Sequence, residues 1–263
     1  MNPKFIDYDF PSDSNYVQGY FGKQPELETL CANYEDVAPV YTDEQIKEKI
    51  ANKSRQGGAA RLVTRIFNQK QEGSCVGNGS CQAFELAQAR QFGKDRVVPI
   101  SPMSLYKRIG QSAQSGAVVS DAWKEMSAHG VLPLDTPENK KRFKHTHPAT
   151  GFSVPLPAGW QEKGAMFKGL EATIIRGVQP LKSALSDEWP VVVGRAGHCI
   201  CYVDILFQSR WLIPYVNSWG EWGDKYAHWD YGFGFDTDKL FVSASDWAFA
   251  IRSITVPSFQ LAV

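Results

Sequence analysis

The chain has 263 residues, 43% of them hydrophobic, and its 28 lysines plus arginines balance 28 aspartates plus glutamates. That length can bury a sizeable core in one domain with an appendage. The balanced charge argues against a general nucleic-acid binder, which needs a basic surface to displace counterions, and no apolar run is long enough to span a bilayer.

Residues 1–60 read as an N-terminal arm, able to cover a cleft or to dock on a protein partner. Pro11-Ser-Asp-Ser-Asn15 is turn-rich. Thr42-Asp-Glu-Gln-Ile-Lys-Glu-Lys-Ile50 predicts a short helix capped by Thr42. Gln56-Gly-Gly-Ala-Ala60 reads as a joint, so a second unit is expected over 61–263. Its first half is helical in pattern. Cys75 opens a helix running to Arg90, with Val76, Ala83, Phe84 and Ala87 on one face, so this helix is expected to be central. Ser101 starts the next, and Asp121 caps a third that closes at Gly130. Residues 131–165, rich in proline and lysine, read as a surface loop.

The second half reads as strands: Thr173–Arg176, then a short helix from Pro180, then Pro190–Gly194, His198–Asp204, Trp211–Val216 and Gly232–Phe235. The strands at His198 and Trp211 are expected to pair as a hairpin. No internal repeat is visible.

Three separated segments fit one chemistry: Gln69-Lys-Gln-Glu-Gly-Ser-Cys75, Gly197-His198 and Asn217-Ser-Trp-Gly220. A thiol needs a base to become a nucleophile, the base needs a group to hold its ring, and the developing oxyanion needs a donor. Cys75, at a helix N-terminus where free N–H groups favour negative charge, is the candidate nucleophile. His198 is the candidate base. Asn217 would fix its ring and Gln69 would donate to the oxyanion. Gln71, four residues from Cys75 rather than six, and Cys81, twelve residues from Gln69, are weaker rivals by spacing. His145 and His147 are expected to be solvated in the polar loop, His129 lies near a helix end, and His228 is expected at the surface.

In order and spacing, with about 120 residues between cysteine and histidine, these segments resemble the papain-like cysteine peptidases in their bacterial and phage form. That family places a glutamine six residues before the cysteine, a Gly-Ser pair directly before it, and an asparagine in Asn-Ser-Trp-Gly with a second Trp-Gly close behind, as in Asn217-Ser-Trp-Gly-Glu-Trp-Gly223. The resemblance covers roughly residues 62–255. It implies an α+β fold with two lobes, helical then antiparallel β, and hydrolysis of peptide or protein substrates through an acyl-enzyme. The chain departs from the family at Val76, where a tryptophan is usual, and at Glu72, where animal and plant members carry a disulfide cysteine. The family's helical propeptide signature is not recognisable.

Of the five cysteines, Cys31, Cys81, Cys199 and Cys201 remain if Cys75 is a free thiol. The opening residues lack the apolar core of a secretion signal, so reduced thiols and a cytoplasmic or virion-associated protein are expected. Strand alternation puts His198 on one face and Cys199 and Cys201 on the other, pointing away from the cleft. No zinc site, other metal or cofactor is therefore expected, and no nucleic-acid or membrane partner. Two other readings compete: a cell-wall amidase or endopeptidase, which usually lacks the upstream glutamine, and a virion-associated binding protein on a peptidase scaffold.

Overall fold

The computed structural model describes residues 3–4, 31–195, 197–239, 241 and 245–257. The turn expected at 11–15 lies outside them. Among the described residues the helices are α1 (Tyr34–Val37), α2 (Asp43–Ala51), α3 (Cys75–Phe92), α4 (Pro102–Ile109), α5 (Val119–Ala128), α6 (Pro137–Arg142), α7 (Trp160–Gly164) and α8 (Val178–Ser186). The strands are β1 (Ala32–Asn33), β2 (Gly169–Ile174), β3 (Val191–Arg195), β4 (His198–Tyr202), β5 (Leu206–Phe207), β6 (Trp211–Val216), β7 (Asp224–Tyr226), β8 (Trp229–Thr237) and β9 (Ser245–Ile254). They join one sheet in the order β1-β2-β9-β3-β4-β6-β8-β7, with β5 on β6. The architecture is α+β, as expected.

The central helix starts at Cys75, and residues 75–89 are all buried. A buried helix must satisfy its polar side chains. Gln88 does so by exchanging two 3.0 Å hydrogen bonds with the Val98 backbone. Glu85 accepts from Ile100 N at 2.7 Å and from Arg65. Gly79 lets the sheet approach: a Cβ there would stand 3.1 Å from Cys199 Sγ on β4. The helix thus lies across β4, β3 and β9, and one apolar core forms between helix and sheet around Cys75, Phe84, Cys199 and Phe249. The other sheet face carries a second core of Ile200, Tyr202, Ile213 and Tyr215 under α2 and α8.

The helix expected at Thr42 forms with a full capping box: Gln45 N donates to Thr42 Oγ1 and Thr42 N to Gln45 Oε1. The segment read as an arm is nevertheless built into the body of the fold from residue 32 on. Ala32 pairs in parallel with Thr173, and Tyr34 and Ile46 are buried in the second core. Asp43 accepts from Lys182 Nζ at 2.6 Å and from Trp211 Nε1 at 3.1 Å. Apolar anchors spaced one per helix in an otherwise polar stretch gave no periodicity to read.

Other expectations need correction. Asp121 is not a cap: α5 begins two residues earlier at Val119, and Asp121 sits in its first turn, where a negative charge suits the helix dipole. The expected loop at 131–165 contains α6 and α7, and α6 is capped by Thr136, whose Oγ1 accepts from Asn139 N at 3.1 Å. The proline after Thr136 favours a helix start. Strand β9, absent from the sequence reading, lies between β2 and β3 in the middle of the sheet.

Candidate active site

Gln69 and Asn217-Ser-Trp-Gly220 meet through backbone pairing. Asn68 bridges to Trp219, Gln69 N donates to Ser218 O at 2.8 Å and Gly220 N to Phe67 O at 3.0 Å. This stitching fixes the Gln69 side chain, which is fully buried. Its Oε1 accepts from Ser218 Oγ at 2.6 Å, and its Nε2 donates to Glu72 O at 2.8 Å. Gln71, the rival, is exposed.

Glu72 is held by two backbone donors. Its Oε1 accepts from Gly151 N at 2.7 Å and Phe152 N at 2.9 Å, tying the glutamine loop to the segment after α6. The next residue, Gly73, donates its N–H to Ala113 O at 2.7 Å. A Cβ at Gly73 would lie 2.8 Å from Gly116 N, so only glycine allows this approach. Ser74 precedes α3 as its N-cap, and Asn78 Nδ2 donates to both Ser74 O and Ser74 Oγ. Cys75 is then the first helical residue, among backbone N–H groups with no intrahelical acceptor.

His198 is the first residue of β4 and is completely buried. Its Nε2 lies 2.9 Å from Asn217 Oδ1. Ser218 N donates to the same Oδ1 at 2.7 Å, which identifies that atom as the acceptor. The proton is therefore on Nε2, and Nδ1 is the basic nitrogen. Trp219 lies against the imidazole at 4.8 Å between ring centroids, tilted by 32°, and is itself 1% exposed. The indole keeps water from the Asn217–His198 bond. Trp222 abuts Trp219 edge-on at 5.3 Å. Beside this wall runs a groove of about 630 Å³ lined by Asn68, Trp219, Trp222 and Tyr231 among others.

Burial pushes the His198 pKa down to about 4, aided by the positive charge of Arg195 and opposed by the Asn217 hydrogen bond. The imidazole is thus neutral at ordinary pH. An unfolded histidine binds protons more readily, near pH 6.5. The contribution of His198 to stability is therefore full above that pH and is lost as pH falls toward about 4, by about 3 kcal/mol. Denaturant unfolding of the chain and of His198→Gln at pH 7 and pH 4.5 checks this: the gap between the two proteins should change over that interval by an amount of this order.

The remaining thiols are poor nucleophiles. Burial raises Cys81, Cys199 and Cys201 well above the ordinary thiol range, and Cys31 to about 11. Cys199 and Cys201 do lie on the opposite face of β4 from His198, but that face is the one packed on the central helix: Cys199 Sγ covers Gly79, one turn from Cys75. Among the other histidines, His228 is exposed. His147 is buried rather than solvated, with Nε2 at 3.4 Å from Val154 O, because the segment around it folds back on α4. No cluster able to hold a metal ion occurs among the described residues.

No protein-family model and no curated protein matches the chain. Solved structures do. Xylellain, a cysteine protease from Xylella fastidiosa, superposes with a TM-score of 0.60 at 17% identity, over 93% of this chain and 99% of that one. A digestive procathepsin L2 proteinase from Tenebrio molitor larval midgut gives 0.61 at 15% identity, over 89% and 78%. A procathepsin B from Trypanosoma congolense gives 0.55 at 14%, over 88% and 85%. The arrangement of a central helix against a mixed sheet, with residues 75 and 198 at the starts of packed elements, is therefore the papain-like cysteine protease fold.

Proposed function

We propose that this chain is a cysteine peptidase that hydrolyses peptide bonds through an acyl-enzyme, with Cys75 as nucleophile, His198 as base and then acid, Asn217 as orienting group and Gln69 as oxyanion donor. The observation that carries the reading is the buried His198–Asn217 bond under Trp219. It fixes the imidazole with Nδ1 as the proton acceptor, on a strand packed against the helix that Cys75 opens. In the first step Nδ1 takes the thiol proton while sulfur attacks the carbonyl carbon. The oxyanion is met by the Cys75 backbone N–H and the Gln69 side-chain amide. The imidazolium then protonates the leaving amine, and the freed ring activates water to hydrolyse the thioester.

Cys75, His198 and Gln69 are each fully buried, so turnover requires a movement that uncovers the sulfur. The test is cleavage of casein by the purified chain under reducing conditions, alongside Asn217→Ala. Cleavage is expected, and the variant should lose about 10- to 100-fold in kcat, part of the 10²–10⁴ that acid–base catalysis contributes. An inert wild-type protein that binds a partner would favour the scaffold reading, and lysis of peptidoglycan in place of casein the cell-wall reading.

A further inference from the structure

Arg195 is 1% exposed, and its salt-bridge partner Asp236 is completely buried. Two buried charges carry a large desolvation cost, and an apolar pair of similar volume would often serve stability as well or better. Their position suggests what they do. Arg195 ends β3 and is the register partner of His198 across the β3–β4 turn, so both side chains leave the same sheet face with Cβ atoms about 5 Å apart. Tyr202 follows His198 on that face by strand alternation and pairs with Tyr215, and Asp236 pairs with Ile213, two residues from Tyr215. All five polar groups therefore share one face. Arg195 Nη1 lies 3.3 Å from Asp236 Oδ2, the Tyr202 hydroxyl donates to that same oxygen at 2.6 Å, and the guanidinium stands 5.9 Å from the Tyr215 ring.

We propose that Arg195 is a positioning residue for His198: anchored by Asp236 and Tyr202, it locks the β3–β4 hairpin and keeps a fixed positive charge beside the imidazole. The inference rests on the peptidase reading for its purpose, though not for its geometry. Among the described residues, the groups placed beside the ring are Arg195 from β3 and Asn217 and Trp219 from the segment after β6, and the helix that Cys75 opens packs on β4. Tyr202, Tyr215 and Asp236 stand behind Arg195. Asn217 and Trp219 are neutral, so Arg195 supplies the fixed charge. It opposes imidazolium in the resting state and so keeps the ring neutral.

Histidine-labelled full-length protein, titrated by NMR with His198 assigned through His198→Gln, tests this. Arg195→Met should raise the His198 midpoint by about one pH unit, and Arg195→Lys should leave it near the wild-type value. In the casein assay Arg195→Met should lower kcat more than it raises KM. If Arg195→Met fails to fold because the buried Asp236 loses its counter-charge, Arg195→Met combined with Asp236→Leu removes both charges and should still raise the midpoint. A folded Arg195→Met or double variant whose His198 titrates like wild type overturns the proposal. The titration does not need turnover: an inert chain with the expected shift sinks the peptidase reading alone, and an active chain without the shift sinks this inference alone.

Discussion

Replacing Cys75 by alanine is expected to lower peptide hydrolysis by about 10⁴-fold or more, because the nucleophile and its base act as a unit. No neighbouring thiol can substitute. Cys81 lies six positions further along the helix, where its sulfur contacts Ser101 O at 3.9 Å, and burial holds it and Cys199 protonated. The fold should survive. Alanine is the best helix former, and losing one buried sulfur costs about 1 kcal/mol, the scale of one buried methylene. Circular dichroism and casein cleavage on the same preparation separate the two effects. Activity above about a hundredth of wild type in a folded Cys75→Ala protein would not fit the assignment.

Glu85→Ala is expected to have the largest effect on stability, about 3–5 kcal/mol, the range for breaking a buried ion pair from one side. Glu85 is 1% exposed in the middle of α3. Its Oε1 accepts from Ile100 N at 2.7 Å and from Arg65 Nη2, and its Oε2 accepts from Arg65 Nε at 3.1 Å. Alanine would leave a buried backbone N–H and a guanidinium without their acceptor. A loss of that size is a large part of the 5–15 kcal/mol typical of a whole domain, and should lower Tm by roughly 10 °C. Arg65→Met combined with Glu85→Met should recover much of it, since neither charge is then stranded. Thermal unfolding of the single and double variants decides. A single-variant loss below about 1 kcal/mol would mean that this carboxylate does not seat the helix.

Both predictions concern α3, and how its parts were legible differs. The helix itself could be read from the spacing of Val76, Ala83, Phe84 and Ala87, and its start from the residues before Cys75. The Thr42 cap was equally plain, because Thr-Asp-Glu-Gln carries both halves of a capping box. Glu85 was passed over: a charge inside an apolar helix gives no hint of its partner until Arg65, twenty residues earlier, is brought beside it. The same holds for Arg195 and Asp236, which meet only because β3, β4, β6 and β8 lie side by side.

Strand β9 was missed because its sequence, Ser-Asp-Trp-Ala-Phe-Ala-Ile-Arg-Ser-Ile, mixes helix-favouring alanines with a strand pattern. Its position between β2 and β3 overrides local propensity. The candidate site residues were proposed for a different reason. Gln69, Cys75, His198 and Asn217 sit in short segments whose residue types and spacing fit one proposed chemistry. The pairing of Asn217 with Nε2, and the seclusion of the ring beneath Trp219, needed the fold.

The most direct measurement is peptide mapping by mass spectrometry after the protein reacts with an epoxysuccinyl inhibitor under reducing conditions, run beside His198→Ala. The account predicts one adduct, on the peptide containing Cys75, forming about 10²-fold more slowly when the imidazole is gone. An adduct on Cys81 or Cys199, or labelling of Cys75 at an undiminished rate in His198→Ala, would contradict it.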